Sequence, residues 1–237
     1  MRALSVVVPV LDDRAAAERL FGLIPAGGGI ELIVVDGGHD VQLEQRVAMI
    51  DGRGLSARYI RTLPGRARQM NAGAAAATGD WLLFLHADSE MPDEWFDVLA
   101  THTHPVSRNG LTPFLGVGGG WFQFAIADPA WQARVIEWGV RLRVRLLSLP
   151  YGDQGIFVRR DMFTQLGGFR DMALMEDVDF VRRLVKETRV VELPIPIRTS
   201  PRRWRDDGWF RRSGRNLALL TLYYFGVPPA RLARWYG

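Results

Sequence analysis

Short apolar runs and stretches of helical spacing alternate through the first ninety residues. Leu4–Val10, Glu31–Val35, Ala57–Ile60 and Trp81–Leu85 read as strands, and the last is apolar at every position, as a parallel strand covered on both faces requires. Helical patterns fill the gaps over Asp13–Leu23, Val41–Ile50 and Arg66–Ala77, the third closing at Gly79. This alternation predicts a doubly wound α/β fold, a mostly parallel central sheet flanked by helices. The second half is less regular. A glycine-rich stretch (Gly116, Gly118, Gly119, Gly120) precedes a strand at Trp121–Phe124, then a helix over Pro129–Leu147, a strand at Ile156–Val158 and a helix over Glu176–Glu187. An arginine-dense segment and an apolar helix follow. With no internal repeat, low-complexity linker or break in composition, residues 1–237 read as a single domain.

Composition narrows the classes. Of 237 residues, 48% are hydrophobic and 24% charged, which excludes disorder, collagen and coiled coil as descriptions of the whole chain. The absence of cysteine excludes disulfides, thiolate metal sites and cysteine nucleophiles. The net charge is +4, and Lys186 is the only lysine, so the positive charge is arginine, a weak pointer to an anionic ligand. Met1-Arg2 runs straight into the first strand with no cleavage site, and the apolar run Leu217–Val227 falls short of the roughly 20 residues a membrane span needs. The expectation is a soluble, cytosolic protein.

Ligands of open α/β sheets bind beyond the carboxyl ends of the strands. Here the first strand ends in Pro9 with Asp12 just after it, the second in Asp36, and the fourth in His86-Ala87-Asp88. Either Asp36 or Asp88 alone is ordinary turn chemistry; two acids at one sheet edge favour a site. Gly65-Arg66-Ala67-Arg68 opens a helix, and a helix N-terminus beside arginines suits an anion, although a solvated first turn accounts for it equally well. Asn71 shares the apolar stripe of that helix with Ala67, Met70 and Ala74, so its amide faces inward and needs a partner. The sharpest signal is Met175-Glu176-Asp177-Val178-Asp179-Phe180. The helix dipole suffices to explain Glu176 and Asp179. It does not explain Asp177, which lies on the apolar face with Phe180, Val181 and Leu184 and is costly there unless paired or functional. Arg198, Arg202, Arg203 and Arg205 surround Trp204 as either a solvated face or a diphosphate contact. Nucleic acid is disfavoured because Asp206 and Asp207 offset the charge. Arg143 projects from the apolar side of its helix, either as a buried partner for an acid or as a cleft residue. The four histidines lack zinc-ligand spacing, and His102 and His104 read as surface loop residues. There is no Walker loop, dinucleotide fingerprint or nucleophile elbow.

Taken in order, these segments resemble glycosyltransferase family 2, the inverting nucleotide-sugar enzymes of GT-A fold. Ser5-Val6-Val7-Val8-Pro9-Val10-Leu11-Asp12 resembles the family's opening strand and Glu31–Gly38 its second strand with the base-binding acid. Gly65–Gly73 and Thr78-Gly79-Asp80 lead to His86-Ala87-Asp88 at the metal-motif position, and Gly167-Gly168-Phe169 with Met175-Glu176-Asp177 resembles the acceptor-side segment and catalytic base. Tyr151-Gly152-Asp153-Gln154-Gly155 and Thr199-Ser200 before Arg202-Arg203-Trp204 resemble the bacterial radical-SAM/selenodomain-associated transferases. Two departures stand out. The first acid of the usual Asp-x-Asp is His86, and Asp12 stands where Asn is frequent.

The resemblance implies a nucleotide-binding half (1–115) and an acceptor half with C-terminal helices (116–237). It implies sugar transfer from a nucleoside diphosphate to an acceptor hydroxyl, either small or lipid-linked. Asp177 would be the base, Asp88 the ligand of Mg²⁺ or Mn²⁺, Asp36 a contact to base or ribose, Arg66 and Arg203 contacts to diphosphate, and Gln154 a contact on the sugar or acceptor side. Pro9, Asp12, Asn71, Ala87, Glu176 and Trp204 complete the substrate-binding set. Two rivals are a nucleotidyltransferase, which gives Asp177 no role, and a non-catalytic binding protein. The C-terminal aromatics (Leu217, Leu220, Tyr223, Tyr224, Phe225) suit core packing first, then a dimer contact or a membrane surface.

Overall fold

Strand β1 (Leu4–Val10) shows how the chain is sorted into layers: Leu4, Val6, Val8 and Val10 face one hydrophobic cluster, while Val7 faces another on the opposite side of the sheet. The structure is a computed structural model that describes residues 4–27, 29–51, 54–103 and 116–236. The same division runs through β2 (Ile30–Asp36), β3 (Ser56–Arg61) and β4 (Trp81–Phe84). One face is covered by α1 (Arg14–Phe21), α2 (Val41–Asp51) and α4 (Trp95–Thr103); the other by α3 (Arg66–Ala76), α5 (Trp131–Leu147), α6 (Arg160–Gln165) and α7 (Glu176–Glu187). This is a three-layer α/β arrangement.

Among the described residues eight strands form one sheet in the order β3-β2-β1-β4-β7-β6-β8-β5, with β5 (Ser89–Glu90), β6 (Val117–Ile126), β7 (Ile156–Arg159) and β8 (Arg189–Thr199) completing it. The expectation of a mostly parallel sheet holds only for the first four strands. β7 runs antiparallel to both β4 and β6, β5 runs antiparallel to β8, and β6 and β8 are parallel, so the sheet is mixed. Phe84 pairs with Ile156, so β7 begins beside the end of β4. One continuous sheet joins both halves, as the single-domain reading expects.

Two differences from the sequence expectation have steric causes. Gly118, Gly119 and Gly120 belong to β6 rather than to a loop, because the strand is squeezed between its neighbours. A methyl group on Gly120 would lie 2.0 Å from the Val191 carbonyl oxygen, and one on Gly119 2.7 Å from that of Phe157. β8 is hidden in the sequence because Pro194 and Pro196 interrupt its pattern. The register with β6 shifts between Phe122 and Gln123, so the partners jump from Leu193 to Pro196, an irregularity that accommodates residues unable to donate to the ladder. His102 sits in the last turn of α4 with Nδ1 2.7 Å from the Val98 carbonyl oxygen, not in a loop; His104 falls outside the described residues. Helices α8 (Arg202–Asp207), α9 (Trp209–Tyr224) and α10 (Pro229–Tyr236) close the chain.

Candidate active site

The turn Gly152–Gln154, just ahead of β7, is the centre around which the predicted groups gather. Asp177, in the first turn of α7, is 8% exposed, and its Oδ2 accepts the Gly152 amide at 2.6 Å. A methyl group on Gly152 would stand 3.1 Å from Nε2 of His86 and 3.2 Å from Oδ2 of Asp177, so the end of β4 and the start of α7 meet over this glycine. Asp153 lies in the fields of Asp88, Asp177, Arg66 and Arg143. The carboxylates expected from separate halves of the chain therefore act on one turn.

Met175, which caps α7, has φ of 69° and ψ of 17°, the left-handed region that costs a β-substituted residue energy. This backbone turns Glu176 and Asp177 inward. Glu176 is 3% exposed and faces Arg66 at 3.5 Å, so it is not the solvated dipole partner the sequence suggested. Burial, then the Asp177 charge, push its carboxyl up to about 7 against the pull of Arg66. Burial likewise pushes Asp153 up to about 6. His86 goes the other way: burial and the charges of Arg66 and Arg203 hold its imidazole well below its ordinary range, so it is neutral at pH 7. Asp179 is spent on Arg170 and Arg183, at 2.9 and 2.8 Å.

Several buried polar atoms around this turn lack a hydrogen-bond partner among the described residues: Nε2 of His86, the Tyr151 hydroxyl, Oδ1 of Asp153 and an η-nitrogen of Arg143. Buried polar groups are normally satisfied, so this concentration marks a place built for a ligand or ordered water. Arg143 resolves its alternatives partly: its guanidinium lies 3.7 Å over the Tyr151 ring, and its Nε donates to the Leu149 carbonyl at 3.0 Å. Tyr151 and Asp153 carry no periodicity signal that marks them as site residues. The motif Tyr151–Gly155 was the available signal for both.

On the donor side, Asp36 is 1% exposed. Its carboxylate accepts from the Gly38 and Asp40 amides and the Tyr59 hydroxyl, each at 2.6 Å. Burial opposes ionisation there, but the three donors outweigh it and hold Asp36 below the usual carboxylate range. Its part in this structure is to shape the Gly37–Asp40 loop. Asp12, exposed with φ of 54°, lies over that loop, and a methyl group on Gly38 would come 2.8 Å from its Oδ1. Pro9 is half-buried in β1 opposite Val35. Gln69, not foreseen, is 3% exposed and donates to the Val10 and Val35 carbonyls at 2.7 and 2.9 Å, locking α3 to the ends of β1 and β2. Beside Asp88 a cleft of ≈ 580 Å³ opens, lined among others by Asp13, Ala87, Arg198, Ser200 and Arg202.

Three predicted binding residues are spent inside the fold. Gln154 is fully buried, its amide donating to the Phe122 carbonyl at 3.1 Å and its oxygen accepting the Tyr151 amide at 3.3 Å. Asn71 finds the partner it needs in the Phe169 backbone, donating to the carbonyl at 2.7 Å and accepting the amide at 2.9 Å. Trp204 packs with Phe124, Ile126, Ala133 and Ile136, and its indole donates to Ser213 at 3.1 Å. Arg203 is exposed and close enough to His86 to act on it.

Among the described residues no group of three or more His, Asp or Glu could by itself hold a metal ion. An all-protein cage for Mg²⁺ or Mn²⁺ is therefore not formed among the described residues, and a divalent cation at Asp88 would need substrate phosphates and water as further ligands.

Residues 5–104 match the family profile of glycosyl transferase family 2. The chain is 26% identical over 197 residues to an uncharacterized glycosyltransferase of Haemophilus influenzae, a match spanning 78% of this chain and 62% of that protein. Its fold is similar to that of a mannosyltransferase from Pyrobaculum calidifontis solved with GDP-Man and Mn²⁺, with TM-score 0.65, 18% identity, and coverage of 91% of this chain and 61% of that one. It is similar also to glucosyl-3-phosphoglycerate synthase from Mycobacterium tuberculosis, solved with Mn²⁺, UDP and glucosyl-3-phosphoglycerate, with TM-score 0.61, 20% identity, and coverage of 96% and 81%. At these identities the structural likeness establishes the fold.

Proposed function

We propose that this chain is a family 2 glycosyltransferase that moves a sugar from a nucleoside diphosphate to an acceptor hydroxyl with inversion. The observation that carries the reading is the meeting of Asp177, His86 and the unsatisfied polar atoms at the Gly152–Gln154 turn, where Asp153 also feels the charge of Asp88. In the step, the acceptor oxygen attacks the anomeric carbon and its proton passes to the Asp177 carboxylate. The bond from that carbon to the diphosphate oxygen breaks, and the nucleoside diphosphate leaves with the electron pair. The Gly152 amide fixes one oxygen of Asp177, which holds the base in orientation before substrate arrives. Arg66 and Arg203 supply positive charge for the diphosphate. When bound at Asp88, Mg²⁺ or Mn²⁺ would add Lewis-acid stabilisation of the leaving group. A neutral His86 keeps one further negative charge away from a pocket that already holds several acids. The open valences of Tyr151, Asp153 and Arg143 belong to the acceptor side, next to the base. The wording of the Tyr151–Gly155 segment supports the radical-SAM/selenodomain-associated subgroup.

A thermal-shift screen of nucleotide sugars with and without Mn²⁺ identifies the donor, and slow donor hydrolysis then reads turnover. Asp177→Asn should lower turnover by roughly 10²–10⁴-fold, the usual worth of a general base, with donor affinity by calorimetry changed less than about threefold. Asp88→Asn should instead remove the metal dependence of donor binding. Equal loss of donor binding in Asp177→Asn, or unchanged metal dependence in Asp88→Asn, would refute the assignment.

A further inference from the structure

Helix α5 is amphipathic in the wrong sense for a helix of the molecular surface. Its inner face packs through Ala133, Ile136 and Val144, yet a second apolar stripe points outward: Trp131, Val135, Trp138, Leu142 and Leu146. These positions recur at the spacing of one helix face, and Trp138 and Leu146 are 65% and 69% exposed. The stripe continues onto α9 through Trp131, whose ring centroid lies 5.8 Å from that of Phe210, itself half exposed. A contiguous exposed apolar surface of this kind marks a contact site.

Charge says what it contacts. Helices α5, α9 and α10 carry four, three and two arginines, and their only acid is Glu137. Glu137 is 1% exposed and turned inward, accepting the Ile126 amide at 2.8 Å and pairing with Arg134 and Arg141. In helical projection Arg134, Arg141 and Arg145 form a row directly beside the apolar stripe. Of the 30 basic and 26 acidic residues of the whole chain, the part outside these three helices keeps 21 basic and 25 acidic, so this surface is singled out. Exposed tryptophans and leucines flanked by arginines are the composition of a helix that lies in the interface of an anionic bilayer. A second copy packed antiparallel on the same face would bring arginine row against arginine row. Among the described residues no helix is long and apolar enough to cross a membrane, so the contact is with its surface.

We propose that the outer face of α5, extended by Phe210, docks this protein on an anionic lipid bilayer. The inner side of the same helix reaches the candidate site through Arg143, so docking would set Tyr151 and Asp153 close to the lipid surface. The docking itself does not rest on sugar transfer.

The test is co-sedimentation of the full chain with vesicles of phosphatidylcholine alone and with 30% phosphatidylglycerol. Binding is expected to the anionic vesicles only and to weaken as NaCl rises from 0.1 to 0.5 M. Arg141→Gln/Arg145→Gln should reduce it roughly 25-fold, at about fivefold per arginine. Trp138→Ser/Leu142→Ser should reduce it at least tenfold, while the circular dichroism spectrum and donor hydrolysis in solution stay unchanged. Equal binding to neutral vesicles, or undiminished binding by both variants, would overturn the proposal. So would sedimentation as a dimer that Trp138→Ser dissociates, coupled with no vesicle binding, because the face would then belong to a second copy.

Discussion

Glu31 offers the most exacting check on the electrostatics of the fold. Its carboxylate is buried where β1, β2 and the turn after α3 meet, accepting from the Ser5 hydroxyl and the Thr78 amide at 2.5 Å, the Thr78 hydroxyl at 2.9 Å, the Gly79 amide at 3.1 Å and Arg58 at 2.6 Å. Burial by itself would raise the carboxyl, but these donors outweigh it and bring it from 4.5 to about 2. A displacement of that size corresponds to about 3 kcal/mol of folding free energy. Screening through Arg58, whose side chain is 44% exposed, reduces the expectation to about 2–3 kcal/mol. Because the folded-state value is depressed, this contribution is fully present above about pH 4.5 and disappears as pH falls toward 2. Urea unfolding of the unaltered protein and Glu31→Gln at pH 7, 4.5, 3 and 2 isolates the term, since every other acid titrates in both. The gap should be about 2–3 kcal/mol at pH 7 and under about 1 kcal/mol at pH 2, at equal m-values. A gap of the same size at pH 7 and pH 2 would refute the reasoning.

Glu176→Gln should show the opposite pH dependence. Its carboxyl is raised to about 7, so the fold prefers the protonated form, and stability is present below about pH 4.5 and lost as pH rises through 7. The variant is expected to gain about 1–2 kcal/mol on the unaltered protein between pH 4.5 and pH 8, after allowing for the part-exposed Arg66; a flat difference over that range would contradict it. Asn71→Ala strips both hydrogen bonds from the Phe169 backbone and should cost about 2–4 kcal/mol in denaturant unfolding. A cost below about 1 kcal/mol would show that the Gly168–Phe169 segment is held by its aromatic packing alone.

The first half of the fold was legible because β1, β2 and β4 are buried on both faces and its helices keep one apolar stripe, so periodicity alone separates them. The second half hides its strands behind residues that usually forbid them: three glycines in β6 and two prolines in β8, each tolerated for a steric reason visible only when the neighbouring strands are in place. At the site, the inward placement of Asp177 could be read from Phe180, Val181 and Leu184. The burial of Glu176 could not, because the direction of a first-turn residue depends on the left-handed Met175 and on Arg66 arriving from α3. Asn71 announced its need for a partner but not which one. Sequence spacing does not distinguish a ligand from a backbone segment 98 residues away.

The polarity of one four-residue strand decides whether the candidate site forms at all. Had β7 entered the sheet in the same direction as β4, the turn that precedes it would sit at the far rim, roughly 13 Å away by the rise of an extended strand. Asp153 and the amide that grips Asp177 would then be out of reach of His86 and Asp88. The about-face in the middle of the sheet folds the later half of the polypeptide back over the mouth of the earlier one, and walls that are distant in the chain come to enclose a single volume.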